Sequence, residues 1–246
     1  PFFGEGLQSV IQAYKGKISG IVNGIDEEIW NPKKDKYLKE CYDIKSVDKK
    51  AENKLEIQKR YGLPVREDVP MVVMISRLTE MKGLDLVRYI LEEFLQDDVQ
   101  FVVLGTGDYT YEEMFKYFEY KYPEKCAARI YYSNEESHLL YSAADLFLMP
   151  SVSEPCGLSQ MIAMRYGTLP IVREAGGLRD TVESYNKYEN TGDGFSFSNI
   201  NAHDLLFTLR NAVDIYRNNK KAYKMLQTNA MTKDFSWKKS AKEYQN

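Results

Sequence analysis

From residue 71 onward the chain alternates short apolar runs with amphipathic stretches, and this limits the possible folds more than any other feature. The runs read MVVMIS at 71–76, FVVL at 101–104, ARIYY at 128–132, LFLM at 146–149 and LPIV at 169–172. Most are apolar throughout, with no polar residue at every second position, which predicts strands of a parallel sheet covered on both faces. Between them, 84–94, 111–120, 135–144, 157–166 and 177–184 carry apolar residues at helical spacing. A short strand at 194–197 and a longer helix over 202–216 complete the series. Repeated strand–helix order predicts a doubly wound α/β domain that takes ligands outside the carboxyl ends of its strands. One further strand is expected at 18–22.

Composition narrows the function classes. A net charge of −3 leaves no electrostatic footprint for nucleic acid or an anionic membrane. No apolar run approaches the roughly 18 residues that would cross a bilayer. The first residues lack the basic-then-apolar layout of a signal peptide, and no Met begins the chain. A piece of a longer protein is the expectation. Three cysteines, Cys41, Cys126 and Cys156, show no CxxC spacing, and only His138 and His203 supply imidazoles. Neither a disulfide framework nor a metal site is expected, and a reducing cytoplasm is the simplest setting. Residues 33–60 form a charged insertion of mixed sign, with Leu55, Ile57 and Tyr61 at near-helical intervals. A solvated surface helix is expected there, not a nucleic-acid arm.

The densest chemistry lies in EPCGLSQ at 154–160, between a strand and a helix. A strand, a short loop and a helix N-terminus gather unpaired N–H groups, the usual cradle for a phosphate. Glu154 beside such a cradle either faces an electron-poor centre of a ligand or caps its own helix, with Cys156 buried behind it. Arg77 and Lys82 flank the turn after the strand at 71–76. They are either diphosphate ligands, one forked and one a point charge, or exposed loop cations. Gly105, Thr106 and Gly107 follow the next strand, and their glycines either admit a ligand to the backbone or simply make a turn. GTG is not the full dinucleotide fingerprint, so no hydride-transfer cofactor is indicated. Gly176 and Gly177 open another helix and either crowd the same crevice or only start that helix. His138 reads as a packed or half-exposed side chain on its helix, and Asn23 as the first residue of an Asn-Gly turn, a hinge or a sugar neighbour.

Six motifs in order, VNGID at 22–26, SRLTEMKG at 76–83, LGTG at 104–107, EPCGLSQ at 154–160, YGTLPIV at 166–172 and GGLRDT at 176–181, resemble the glycogen and starch synthase family. The likeness runs from about residue 18 to the end. It implies the carboxy-terminal half of a two-domain GT-B glycosyltransferase with a Rossmann-like sheet. The implied reaction is retaining transfer of glucose from ADP-glucose (or UDP-glucose) to an α-1,4-glucan, without cofactor or metal. The implied catalytic residues are Glu154, Arg77 and Lys82. The resemblance further implies substrate contacts at Gly105, Thr106, Gly107, Tyr132, Cys156, Gly157, Leu158 and Ser159, with Tyr132 beside the base. Residues 1–17 would be an interdomain segment, 18–233 the nucleotide-sugar domain, and 234–246 a terminal helix packing toward the amino-terminal domain. Many relatives of this architecture carry a second Glu eight positions after the first; here Ile162 stands there, as on the synthase side of the group.

Overall fold

A computed structural model describes residues 6–245, so the first five residues of the expected interdomain segment lie outside the described residues. The elements in chain order are α1 (Gln8–Ala13), α2 (Lys50–Tyr61), β1 (Met71–Ile75), α3 (Leu84–Phe94), β2 (Gln100–Leu104), α4 (Tyr109–Lys121), β3 (Cys126–Arg129) and α5 (Asn134–Ala143). They continue with β4 (Leu146–Met149), α6 (Ser159–Arg165), β5 (Leu169–Arg173), α7 (Gly177–Thr181), β6 (Phe195–Phe197), α8 (Ala202–Asn218), α9 (Lys220–Thr232) and α10 (Trp237–Glu243).

The six strands form one parallel sheet in the order β3-β2-β1-β4-β5-β6. Val72, Val73, Val102, Phe147 and Ile171 are fully buried, as strands with helices on both faces require. From β1 the chain crosses through α3 to β2 on one side, and from β4 through α6 to β5 on the other. With right-handed crossovers, α3 and α6 then cover opposite faces. Accordingly α3 packs with α4 and α8, and α5 packs with α2 and α6. The strand order reverses between β1 and β4, so the loops leaving their carboxyl ends part there and open a crevice.

Four expectations are corrected. Residues 18–22 form no strand: Ile18 is 53% exposed, and only Ile25 pairs, in a single bridge to Ser236. β3 spans Cys126–Arg129, not 128–132, because its neighbour β2 ends at Leu104 opposite Arg129 and leaves Tyr131 and Tyr132 nothing to pair with. The helix predicted from 157 begins at Ser159, since Gly157 is left-handed at φ +72°. The largest correction concerns residues 33–60. Only α2 within that stretch is a long helix, and it is not a solvated one. It buries Lys50, Asn53, Lys54, Ile57, Gln58 and Tyr61 along one face. Lys54 donates to Asp145 Oδ2 at 2.7 Å, to Glu67 O and to Tyr216 OH; Lys50 donates to Tyr141 O, Ser142 O and Thr168 Oγ1. A lysine whose three donors are all taken can be buried, which the charge pattern alone hides.

Candidate nucleotide-sugar site

The loops after β1 and β4 meet at the switch point. Val152 N–H donates to Met81 O at 2.9 Å, tying the β4 loop to the 3₁₀ turn Glu80–Lys82. Next to this tie, Lys82 Nζ lies 2.5 Å from Glu154 Oε2, both side chains being mostly buried at 17% and 11% exposure. Ser151 Oγ donates to the same carboxylate oxygen at 3.3 Å. The pair lies at the switch-point crevice. Its ammonium is a point charge on a flexible stem and serves a carboxylate and a phosphate alike. Arg77 does not join the pair; it is exposed at the mouth of the neighbouring cleft.

The Glu154 loop is held from below by the two glycines before Leu178. Gly177 N–H donates to Glu154 O at 3.0 Å. A Cβ at Gly176 would stand 2.2 Å from Glu154 O, and one at Gly177 would stand 2.3 Å from Cys156 O. Only glycine permits that approach, so this turn does crowd the crevice as well as start a helix. Gln160, fully buried, donates through Nε2 to Cys156 O at 3.1 Å and Gly157 O at 3.0 Å, and reaches Thr181 Oγ1 at 3.0 Å. It thereby fixes the turn that carries the half-buried Cys156. Leu158 is 45% exposed on the crevice rim, and Ser159 begins α6. Sequence reasoning missed Gln160. The only available signal was a polar residue directly before Met161 and Ile162 in the first turn of a short helix.

A cleft of about 270 Å³ adjoins the pair, bordered by Ile75, Arg77, Gly105, Thr106, Tyr132 and Ser159 among others. Tyr132 is 84% exposed, off the end of β3, and so presents a free ring face. Tyr131, by contrast, spends its hydroxyl on Glu136. The glycines after β2 make a tight turn against the β1 loop. A Cβ at Gly105 would meet Ser76 O at 1.9 Å, and one at Gly107 would meet Leu78 O at 2.3 Å. Thr106 Oγ1 and Gly107 N–H both donate to Glu112 Oε1, at 2.6 and 2.9 Å, and these bonds hold the Glu112 carboxyl below its ordinary range. Glu112 was not anticipated. Its partners lie five and six residues away, across the loop and first turn of α4.

Other titratable clusters look structural. A second cavity of about 310 Å³ lies at the opposite end of the sheet beside Lys50, Lys54 and Asp145, where those groups bond one another or backbone carbonyls. His138 is 1% exposed, stacked on Trp30 at 4.0 Å, with Nδ1 2.6 Å from Asp35 Oδ2. Cys41, Cys126 and Cys156 are unbridged. Among the described residues, no group of three or more His, Cys, Asp or Glu side chains is placed to hold a metal. None of the described helices is long and apolar enough to cross a membrane.

A six-stranded doubly wound sheet, with a lysine–carboxylate pair at its switch point and an aromatic-rimmed cleft beside it, defines a Rossmann-like ligand-binding domain of the GT-B type. The chain belongs to the family of glycosyl transferases group 1, whose sequence pattern matches residues 53–231. It is 59% identical to a glycogen synthase of Finegoldia magna over 99% of this chain and 51% of that protein. It is 50% identical to one of Clostridium acetobutylicum over 100% of this chain and 52% of that protein. The chain thus spans about half the length of the curated relatives it matches. Among solved structures it is similar to the catalytic domain of starch synthase IV from Arabidopsis thaliana bound to ADP and acarbose. That likeness has a TM-score of 0.90 at 36% identity, covering 98% of this chain and 50% of that one. A sucrose-phosphate synthase from Thermosynechococcus elongatus, at 18% identity and a TM-score of 0.64 over 97% of this chain and 54% of its own, shares the fold alone.

Proposed function

We propose that this chain is the nucleotide-sugar-binding half of a retaining glucosyltransferase that extends α-1,4-glucan from ADP-glucose. The observation that carries the reading is the Lys82–Glu154 pair at the β1/β4 switch point, next to the cleft under Tyr132. The named activity of the relatives, and the ADP and acarbose bound to the starch synthase, support it. The nucleobase stacks against Tyr132, near Gly105 and Thr106. The diphosphate lies between Arg77 and Lys82, whose charges stabilise the leaving group as the bond from anomeric carbon to phosphate oxygen breaks. Glu154 faces the sugar ring, which acquires oxocarbenium character, and the backbone of Cys156, Gly157 and Leu158 with the Ser159 hydroxyl orients sugar hydroxyls and phosphate. The glucan 4-hydroxyl attacks the anomeric carbon on the face that the diphosphate is leaving, its proton passes to the departing diphosphate oxygen, and ADP departs with the configuration retained.

The acceptor side belongs to the other half of the protein. Leu7, Val10, Ile11 and Tyr14 leave an apolar face on and around α1 without a buried partner, and Trp237 on α10 is 49% exposed. Both segments are read as packing toward the amino-terminal domain. Holding donor and acceptor in near-attack geometry supplies roughly 7–11 kcal/mol of the barrier, and one open half cannot do this. A reducing cytoplasm is the setting proposed with this reading, and the unbridged cysteines are in keeping with it. The test is transfer of labelled glucose from ADP-glucose to glycogen. Full-length protein is expected to transfer with retention, and the 246-residue chain to bind ADP without turnover. Robust turnover by the chain alone, or none by the full-length protein, overturns the reading.

A further inference from the structure

We propose that Arg173 is the positioning residue of this site, hanging the Glu154 loop from the neighbouring strand and setting the carboxylate's place against Lys82. The inference rests on the reading above that Glu154 faces the sugar. Arg173 is the last residue of β5, the strand between β4 and β6. Its side chain turns into the protein and is 9% exposed. The guanidinium donates from Nε to Ser151 O at 3.0 Å, from Nη2 to Val152 O at 2.5 Å and from Nη1 to Ser198 O at 3.3 Å. It therefore bridges the loops that leave the carboxyl ends of both flanking strands.

Of the two residues it clamps on the β4 side, one touches Glu154 and the other the backbone next to Lys82. Ser151 gives its carbonyl to Arg173 and its hydroxyl to Glu154 Oε2. Val152 gives its carbonyl to Arg173 and its N–H to Met81 O, the residue before Lys82. A shift of the guanidinium would move the supports of carboxylate and ammonium together. Burial lowers the Arg173 pKa, with no neighbouring charge to offset it. A buried cation with no counter-ion is costly, and an apolar side chain of the same length would pack without that cost. What only arginine supplies is a rigid planar fork that reaches three carbonyls on two loops at once.

The test compares full-length Arg173→Met, Arg173→Lys and Ser151→Ala with the parent. The readouts are kcat and KM for ADP-glucose, calorimetric affinity for ADP, and thermal unfolding. Misplacing a reacting group by about 1 Å costs roughly 100-fold, so kcat of Arg173→Met should fall by about that factor. Affinity for ADP should fall by less than about tenfold, because Lys82 shifts with its support while Arg77 and the Tyr132 cleft are not held by these bonds. Arg173→Lys keeps the charge but not the fork and should fall between, and Ser151→Ala should lose kcat in the same direction but less. The proposal is overturned if folded Arg173→Met keeps the parent kcat, or if its kcat and ADP affinity fall in proportion. If Arg173→Met does not fold, parental kcat in both other variants overturns it. A Glu154→Gln variant separates the two ideas. Full turnover there sinks the site reading itself, whereas lost turnover there with parental kcat in Arg173→Met sinks only the positioning role.

Discussion

Replacing Lys54 by Met should cost this protein about 3 kcal/mol, although the residue lies in the most highly charged stretch of the sequence. The ammonium is almost inaccessible, with the Lys54 side chain 3% exposed and Asp145 12%. Met keeps most of the methylene packing and removes only the charge and donors. Asp145 then stays buried without its ion-pair partner, Glu67 O and Tyr216 OH lose a donor, and the Met71 N–H at 2.8 Å still serves the carboxylate. Breaking a buried pair from one side costs roughly 3–5 kcal/mol. The surviving Met71 bond places this case at the low end. For a domain of this size, about 3 kcal/mol lowers the melting temperature by roughly 6–12 °C. Asp145→Asn in the Lys54→Met background should recover part of the loss, giving a coupling energy above about 1.5 kcal/mol in a double-mutant cycle. Urea denaturation of the four proteins measures it. A loss under about 0.5 kcal/mol for Lys54→Met is what a solvated helix would give, and it would refute the buried placement of α2.

Two further outcomes follow from the same geometry. Cys156, half-buried on the turn beneath Glu154, should be alkylated in free protein and shielded by ADP-glucose, and equal labelling by mass spectrometry in both samples would remove it from the sugar pocket. Burial alone would raise the Asp35 carboxyl, but hydrogen bonds from His138 and Tyr166 outweigh it and hold the group below its ordinary value of 3.8. Its stabilising contribution is therefore complete above that value and lost as pH falls through the lower folded value. Asp35→Asn should flatten the fall in stability between pH 5 and pH 3, and an acid limb as steep as the parent's would contradict this.

Much of the sheet was legible because β1, β2, β4 and β5 are too apolar to face water on either side. The segment at 18–22 misled because Ile18, Ile21 and Val22 carry the strand signal, yet no strand lies within reach to pair with them. The helix α9 escaped notice because its buried face is built from Ala222, Tyr223, Leu226, Gln227 and Ala230, a weak apolar stripe among lysines. Of the proposed site, Glu154, Lys82 and Arg77 stood out in the sequence because they sit at strand-to-helix turns in recognisable motifs. Arg173, Gln160 and Glu112 did not. Arg173 and Gln160 donate to backbone carbonyls and Glu112 accepts from the Gly107 N–H and the Thr106 hydroxyl, and a bond to a backbone group leaves no partner residue in the sequence to betray it.

Calorimetric titration of ADP into the parent protein, Arg77→Ala and Lys82→Ala tests most directly whether a nucleoside diphosphate lies at the β1/β4 switch point. Charge-assisted bonds to phosphate are worth roughly 1.5–3 kcal/mol each, so each substitution should weaken ADP by about 10- to 100-fold. Parental affinity in both variants would contradict the account, because the diphosphate would then lie elsewhere in the domain.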